Sequence, residues 1–407
     1  MFFEILFFIF LGITFGLVTG LIPGLHPNTV FMLLLSIGPF LFSLPLNCAL
    51  AFIISLGISN SFFDFIPAIF FGAPEEGSVL SVLPGHRMLL LGRGEEALLL
   101  TVVGGVCVVV LTILSFPFLL HFLPFVYESM RPLMHVFLVI LVVWMVMMER
   151  GKKRIYAAIV FVFSGLFGIL TLTSLPSDQA LFPALTGLFG LSTLLTSMVK
   201  KTKLPPQKSP GEIKGDWLKG GMTGWLAGML AGLLPGVGSS QAGVIAAQLL
   251  RAKLKEFLIA LGGINTSNIL FTFIAFYTIG KTRSGAAWAV SQITDVLLPS
   301  DIIFMIIVAF LTCFFSGVLT LKIGKLILNR MKHVNYRKVM VFTIVTLFIL
   351  VFIFSGESGI LISLVGVSVG VLTISFGVKR THMMGFLLLP TILYFSGASP
   401  FVLSVLF

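Results

Sequence analysis

Charge is what this sequence has least of. Of its 407 residues, 10% are Asp, Glu, Lys or Arg and 57% are hydrophobic, with a mean hydropathy of +1.12. A soluble globular domain carries about a quarter charged residues, so a water-soluble fold is excluded. Cysteine is scarce too. Cys48, Cys107 and Cys313 stand in apolar segments without metal-ligand spacing, and read as buried reduced thiols. The sequence contains no His-Glu-x-x-His, no Gly-x-Ser-x-Gly and no phosphate loop ending in Lys-Ser/Thr. The histidines (His26, His86, His121, His135, His333, His382) are scattered singly. No enzymatic constellation is expected, and no metal or organic cofactor.

Acidic residues are fewer than basic ones, 15 against 26, giving a net charge of +11. The bases sit in short loops between apolar runs, the pattern of positive-inside topology and not of a nucleic-acid binder. The opening "MFFEILFFIF" has neither a basic n-region nor a small-residue cleavage site, and is expected to belong to the mature fold. Many runs of roughly 17–25 apolar residues can each cross ~30 Å of hydrocarbon, so an all-α polytopic protein of the cell membrane is expected, with lipid as its surroundings.

Two of those runs are interrupted in the same way. "GLIPG" (Gly20–Gly24) is matched by "GLLPG" (Gly232–Gly236). Downstream, "SNSFFDFIPAIFFGAPEEGS" (Ser59–Ser78) aligns with "SNILFTFIAFYTIGKTRSGA" (Ser267–Ala286), and "GILT" (Gly168–Thr171) with "GVLT" (Gly370–Thr373). The chain therefore reads as two repeats, 1–199 and 217–407, joined by a basic cytoplasmic linker, 200–216.

Charge orients the repeats. The basic stretches Arg150–Arg154, the linker, Lys322–Lys338 and Lys379-Arg380 fall on one face if each Pro-Gly segment enters and leaves on the same side. The expected crossings are then 49–71, 97–120, 133–149, 155–173 and 182–198, followed by 256–280, 301–321, 339–355, 359–376 and 384–399. Five crossings per half make the second repeat inverted relative to the first. Each half would hold a re-entrant hairpin, because Pro stops a helix and Gly permits the reversal. Simple Gly/Pro kinks packed against neighbours are the plainer alternative.

The hairpin tips are the candidate site. Gly24, His26, Asn28 and Thr29 in the first, and Gly236, Gly238, Ser239 and Ser240 in the second, place cap residues at the start of an outgoing helix. Helix N-termini exposed there suit an anion. Beside them stand Asn60 and Ser61, and Thr266, Ser267 and Asn268. These either face the cavity or hydrogen-bond across packed helices. Arg283 could pair with a carboxylate. Asp64, inside an apolar run, and Glu75 and Glu76 are candidates to take up Na⁺ or H⁺.

The chain resembles the TctA family, the large permease subunit of tripartite tricarboxylate transporters. The resemblance rests on "GLIPGLHPNT", "GLLPGVGSSQAG", "GAPEEGSVLSVLPGHRMLLLGRGEEALL" (Gly72–Leu99) and "FPALTGLFGLSTLL" (Phe182–Leu195). Where that family has an Asp-Gly-Tyr-Pro type turn, this chain has "PGHRM" (Pro84–Met88), which marks it as a compact, divergent member. The resemblance implies a secondary transporter of di- or tricarboxylates driven by Na⁺ or H⁺. It further implies a setting with a small membrane subunit and an extracytoplasmic binding protein; a homo-oligomer is also compatible. The alternative is a carrier or flippase of a polyprenyl-phosphate lipid, whose headgroup is likewise an anion.

Overall fold

The computed structural model describes residues 2–22, 44–73, 78–199, 205–210, 217–234, 238–250, 253–282, 284–294, 296–331 and 336–406. Among the described residues every regular element is a helix. Eight helices among them are long and apolar enough to cross a membrane.

The chain divides into two compact units, and neither coincides with a sequence repeat. One comprises 1–124 and 201–343, the other 125–200 and 344–407. Each repeat thus contributes its first part to one unit and its last part to the other.

In the larger unit, α1 (Phe2–Leu21) packs along α2 (Leu46–Phe63), and α10 (Trp217–Leu233) packs along α12 (Leu254–Ile279). The two pairs close in the same way. A Cβ on Gly16 would stand 1.8 Å from Ser59 Oγ, and one on Gly228 would stand 1.6 Å from Ser267 Oγ. One turn further on, Gly20 meets Phe63 and Asp64 while Gly232 meets Phe271 and Thr272. These partners are the residues that the repeat alignment equates. Glycine is required by this close approach, since without side chains the backbones can come together in the small-xxx-small manner of membrane helices.

In sequence, a Pro-Gly motif lies between the members of each pair; Pro23-Gly24 and Pro235-Gly236 are outside the described residues. After the second turn comes α11 (Ser239–Leu249). The front of α5 (Gly94–Met130) presses on α12, where Cβ atoms on Gly104 or Gly262 would meet the carbonyls of Ile259 and Thr101 at 1.9 and 2.0 Å. The long α14 (Pro299–Met331) packs against α2, joined to it by a Ser55–Thr312 hydroxyl pair at 2.9 Å.

The linker between the repeats is tied down at its centre. Gln207 Nε2 donates to Leu89 O (3.0 Å), its Oε1 accepts from Gly94 N (3.0 Å), and Lys208 N donates to Gly92 O (2.8 Å). Glu96 then holds Arg93 (2.7 Å) and Lys255 (2.8 Å), fastening the start of α5 to the start of α12.

In the smaller unit, α7 (Lys153–Ser174) packs on α16 (Gly385–Ser396), where a Cβ on Gly168 would meet Phe386 O at 1.9 Å. A π-helical turn, Thr186–Leu191, separates α8 (Ser177–Leu185) from α9 (Ser192–Val199). It lies against the later part of α15 (Tyr336–Phe376), with Gly187 at Ser363 O and Gly370 at Ser192. Each of these contacts joins an element of one repeat to an element of the other.

The expected crossings compare closely with the helices, with three differences. The run 133–149 holds α6 (Met134–Met147), only 14 residues long, and 384–399 holds α16, only 12 residues long. Both fall short of the ~20 residues that span a bilayer unaided. The crossings 339–355 and 359–376 form one element broken at Gly356, where φ is 61° and ψ −153°, a conformation that only glycine adopts easily. Finally α1, read as one arm of a hairpin, is 20 residues long and has spanning length by itself.

Candidate functional site

The described part of the candidate site lies in the larger unit, along α12, where α11 packs against it and where α2 crosses it. Gly238 precedes α11 in an extended conformation, and its N–H donates to Gln241 Oε1 at 2.9 Å, a glutamine reaching back to the cap. The first-turn N–H groups of a helix have no acceptor within it, so the start of α11 carries a partial positive charge. Ser239 and Ser240 are both buried there, and Ser239 Oγ accepts from Asn268 Nδ2 at 3.1 Å. Gly238, Ser239, Ser240 and Asn268 are therefore brought together, although α11 and Asn268 are separated by about half of α12.

Asn60, the repeat counterpart of Asn268, donates to Thr19 Oγ1 of α1 at 3.1 Å. Ser267 is engaged in helix packing instead: its hydroxyl donates to Gly224 O (3.2 Å) and Ile264 O (3.4 Å).

A second cluster sits where α2 crosses α12. Ser61 Oγ and Thr266 Oγ1 are 3.0 Å apart. Asn265 Nδ2 donates to Asp64 Oδ2 (2.9 Å) and Ser61 O (3.4 Å). Asp64 is 2% exposed and occupies the break between α2 and α3 (Phe65–Phe70). Pro67 in α3 has no N–H to give the Phe63 carbonyl, which accounts for a break at this point.

The crossing has a symmetry of its own. Ser61 meets Asn265, and Gly57 meets Ile269, whose Cγ2 would be 3.3 Å from a Cβ at Gly57. The alignment of Ser59 with Ser267 carries Gly57 onto Asn265 and Ser61 onto Ile269, so the two contacts exchange. As numbers rise along α2 they fall along α12, so these equivalent helices run antiparallel where they touch.

Gly24, His26, Asn28, Thr29, Glu75, Glu76, Gly236 and Arg283 lie outside the described residues. Asn265 was not among the expected site residues; its signal was the "INTSN" run, in which it stands one turn before Asn268. Thr19 gave no signal, since a single Thr in an apolar helix is ordinary. Among the described residues no group of three or more His, Cys, Asp or Glu could hold a metal ion.

Described residues that are helical throughout their regular elements, with eight candidate spans and buried Asn, Ser and Asp side chains, make this a polytopic membrane protein of the transporter type. The family model described as "Tripartite tricarboxylate transporter TctA family" matches residues 6–385. The chain belongs to this family. It is 30% identical over 398 residues, 96% of this chain and 98% of the other, to the "Uncharacterized protein MJ1079" of Methanocaldococcus jannaschii. No solved structure matches it.

Proposed function

We propose that the protein is a secondary active transporter of organic anions of the di- and tricarboxylate class, driven by Na⁺ or H⁺ through alternating access. The observation that carries this reading is the start of α11, where a glycine cap, buried Ser239 and Ser240 and the Asn268 amide converge on a helix N-terminus deep within an apolar bundle. An N-terminus with hydroxyl and amide groups can hold a carboxylate without a full buried positive charge. That suits a site which must release its substrate.

The antiparallel crossing of α2 and α12 supports the inverted arrangement of repeats 1–199 and 217–407. Equivalent elements related by a two-fold axis in the membrane plane would meet in this way. The first Pro-Gly turn, with Gly24, His26, Asn28 and Thr29, would then supply the second half of the substrate site, and Gly236 and Arg283 would complete the first. Asp64, held by Asn265, is the proposed ion-coupling carboxylate, with Glu75 and Glu76 as further ones. Family membership adds a small membrane subunit and an extracytoplasmic binding protein as proposed partners.

The test is thermal unfolding of the purified protein with citrate, succinate and monocarboxylate controls, in NaCl or in choline chloride. Stabilisation by a di- or tricarboxylate that disappears in Ser239→Trp is the expected result. Equal midpoints with every anion would contradict the reading.

A further inference from the structure

In the smaller unit, two basic loops far apart in sequence converge on one buried carboxylate. Glu149 follows α6; its Oε1 accepts from Lys379 N at 3.3 Å and lies 3.2 Å from His382 Nε2. Its main-chain carbonyl accepts from Arg154 Nε at 2.8 Å. Lys153 Nζ approaches the same turn, 3.6 Å from where a Cβ of Gly377 would stand. The loop Arg150–Arg154 and the pair Lys379-Arg380 thus form one surface.

That surface is short of negative charge. Arg150, Lys152, Lys153, Arg154 and Lys379 are exposed, and among the described residues none of them, nor Arg380, forms an ion pair with a carboxylate. Glu149, the carboxylate within this surface, is buried and bonded to the His382 ring and the Lys379 main-chain N–H, not to the side chain of any of these cations. Arg380 is half-buried against neutral oxygens only: its Nη1 donates to Phe189 O at 3.4 Å, in the π-helical turn, and to Thr193 Oγ1. Burial pushes its pKa down to about 10, with no anion to offset the desolvation.

The position of the cluster indicates what kind of anion would meet it. α7 starts at Lys153 and the span in α15 ends at Phe376, so the cations stand where two apolar helices end. Tyr156 and Phe376 stack there, ring centroids 4.7 Å apart, in the manner of interfacial aromatics. Immediately along α7, Ile155 is 62% exposed. A free anion in water has no use for this apolar flank, whereas a phospholipid has acyl chains to lay on it.

We propose that the loops 150–154 and 379–380 form a binding site for the phosphate headgroup of an anionic phospholipid, with Arg380 and Lys153 as its principal contacts and Ile155 against the acyl chains. Basic residues at a helix end are drawn to anionic headgroups, each changing affinity on the order of fivefold.

Full-length protein in detergent is titrated with phosphatidylglycerol, phosphatidylcholine or inorganic phosphate, and bound lipid is counted by native mass spectrometry alongside the thermal midpoint. Phosphatidylglycerol should bind and stabilise in preference to phosphatidylcholine. Lys152→Gln/Lys153→Gln, confined to exposed positions, should weaken that binding on the order of tenfold or more. Arg380→Gln should weaken it as well, while Lys322→Gln/Lys325→Gln, the same charge removed from α14, should not. Equal binding of the two lipids, an equal loss in the α14 variant, or equal stabilisation by inorganic phosphate would each overturn the proposal.

Discussion

Ser267 places its hydroxyl where a Cβ on Gly228 would have to be, 1.6 Å away, and Ser59 stands in the same relation to Gly16. One steric fit therefore occurs in both halves of the chain, between α1 and α2 in the first and between α10 and α12 in the second. The fit leaves no room for a side chain, so it fixes the spacing of the two helices in each pair.

Gly228→Ala should accordingly destabilise the protein by about 1–3 kcal/mol, the usual cost of an overpacked contact. Adding Ser267→Ala should recover part of that loss, because the nearest clashing atom is removed while the Cβ of residue 267 and the Ile264 carbonyl, 2.9 and 3.0 Å from the new Cβ, remain. Thermal unfolding in detergent measures both variants. No loss in the single variant would contradict the packing described.

Asp64 and Asn265 form a second coupled pair, one residue from each half, at 2.9 Å. Replacing Asn265 with Leu removes a donor from a buried carboxyl and should cost about 1–3 kcal/mol. The double variant Asp64→Leu/Asn265→Leu should be less destabilised than the sum of the singles, by about 0.5–3 kcal/mol. Additivity in a double-mutant cycle would mean that the two side chains act independently.

How much of this could be read from the sequence depends on which physical signal each feature leaves. The spans are written in hydropathy, and the break at Gly356 fell between two expected crossings because the run there was too long for one. The repeat is inferred from Ser59-Asn60 and Ser267-Asn268, which recur with Gly and Pro at matched positions. That alignment pairs the residues that later proved to occupy equivalent contacts.

Other features left weaker marks. The close approach at Gly16 and Gly228 left no mark in the sequence, since nothing in a single helix announces the helix it will touch. Ser267 could be read either as facing the cavity or as hydrogen-bonding across packed helices, because helix rotation is set by contacts distant in sequence; its hydroxyl donates to Gly224 O. The division into two units that cut across the repeats was not legible either. It arises from pairings such as α7 with α16, which no local pattern records.

His382 supplies a pH dependence. Its ring is buried, and desolvation lowers its pKa below the ordinary 6.5, outweighing the neighbouring Glu149, which raises it; Lys379 lowers it slightly further. A group that binds its proton more weakly when folded makes its full contribution to stability above its unfolded value. That contribution is lost as pH falls from about 6.5 towards the folded value. The thermal midpoint should therefore decline as pH is lowered from 8 to 5, and His382→Gln should flatten part of that decline. An unchanged slope in the variant would assign the dependence to other groups.

The docked linker offers a test that needs no ligand. Gly92 has φ of +76°, and a Cβ there would meet Pro206 O at 2.7 Å. Gly92→Ala should release the 205–210 segment and speed tryptic cleavage at Lys208 severalfold, with little change in cleavage at the exposed Lys152. Equal rates at Lys208 in both proteins would show that the linker is held by something else.

The central claim concerns the start of α11, and gradient-driven uptake into liposomes tests it most directly. Purified protein is reconstituted, labelled citrate or succinate is offered outside, and an inward Na⁺ or H⁺ gradient is imposed. The account predicts accumulation that depends on one of the gradients and is abolished by Ser239→Trp in protein that remains folded. Folded wild-type protein that accumulates no di- or tricarboxylate under either gradient, or a Ser239→Trp variant that transports as well as the wild type, would contradict it.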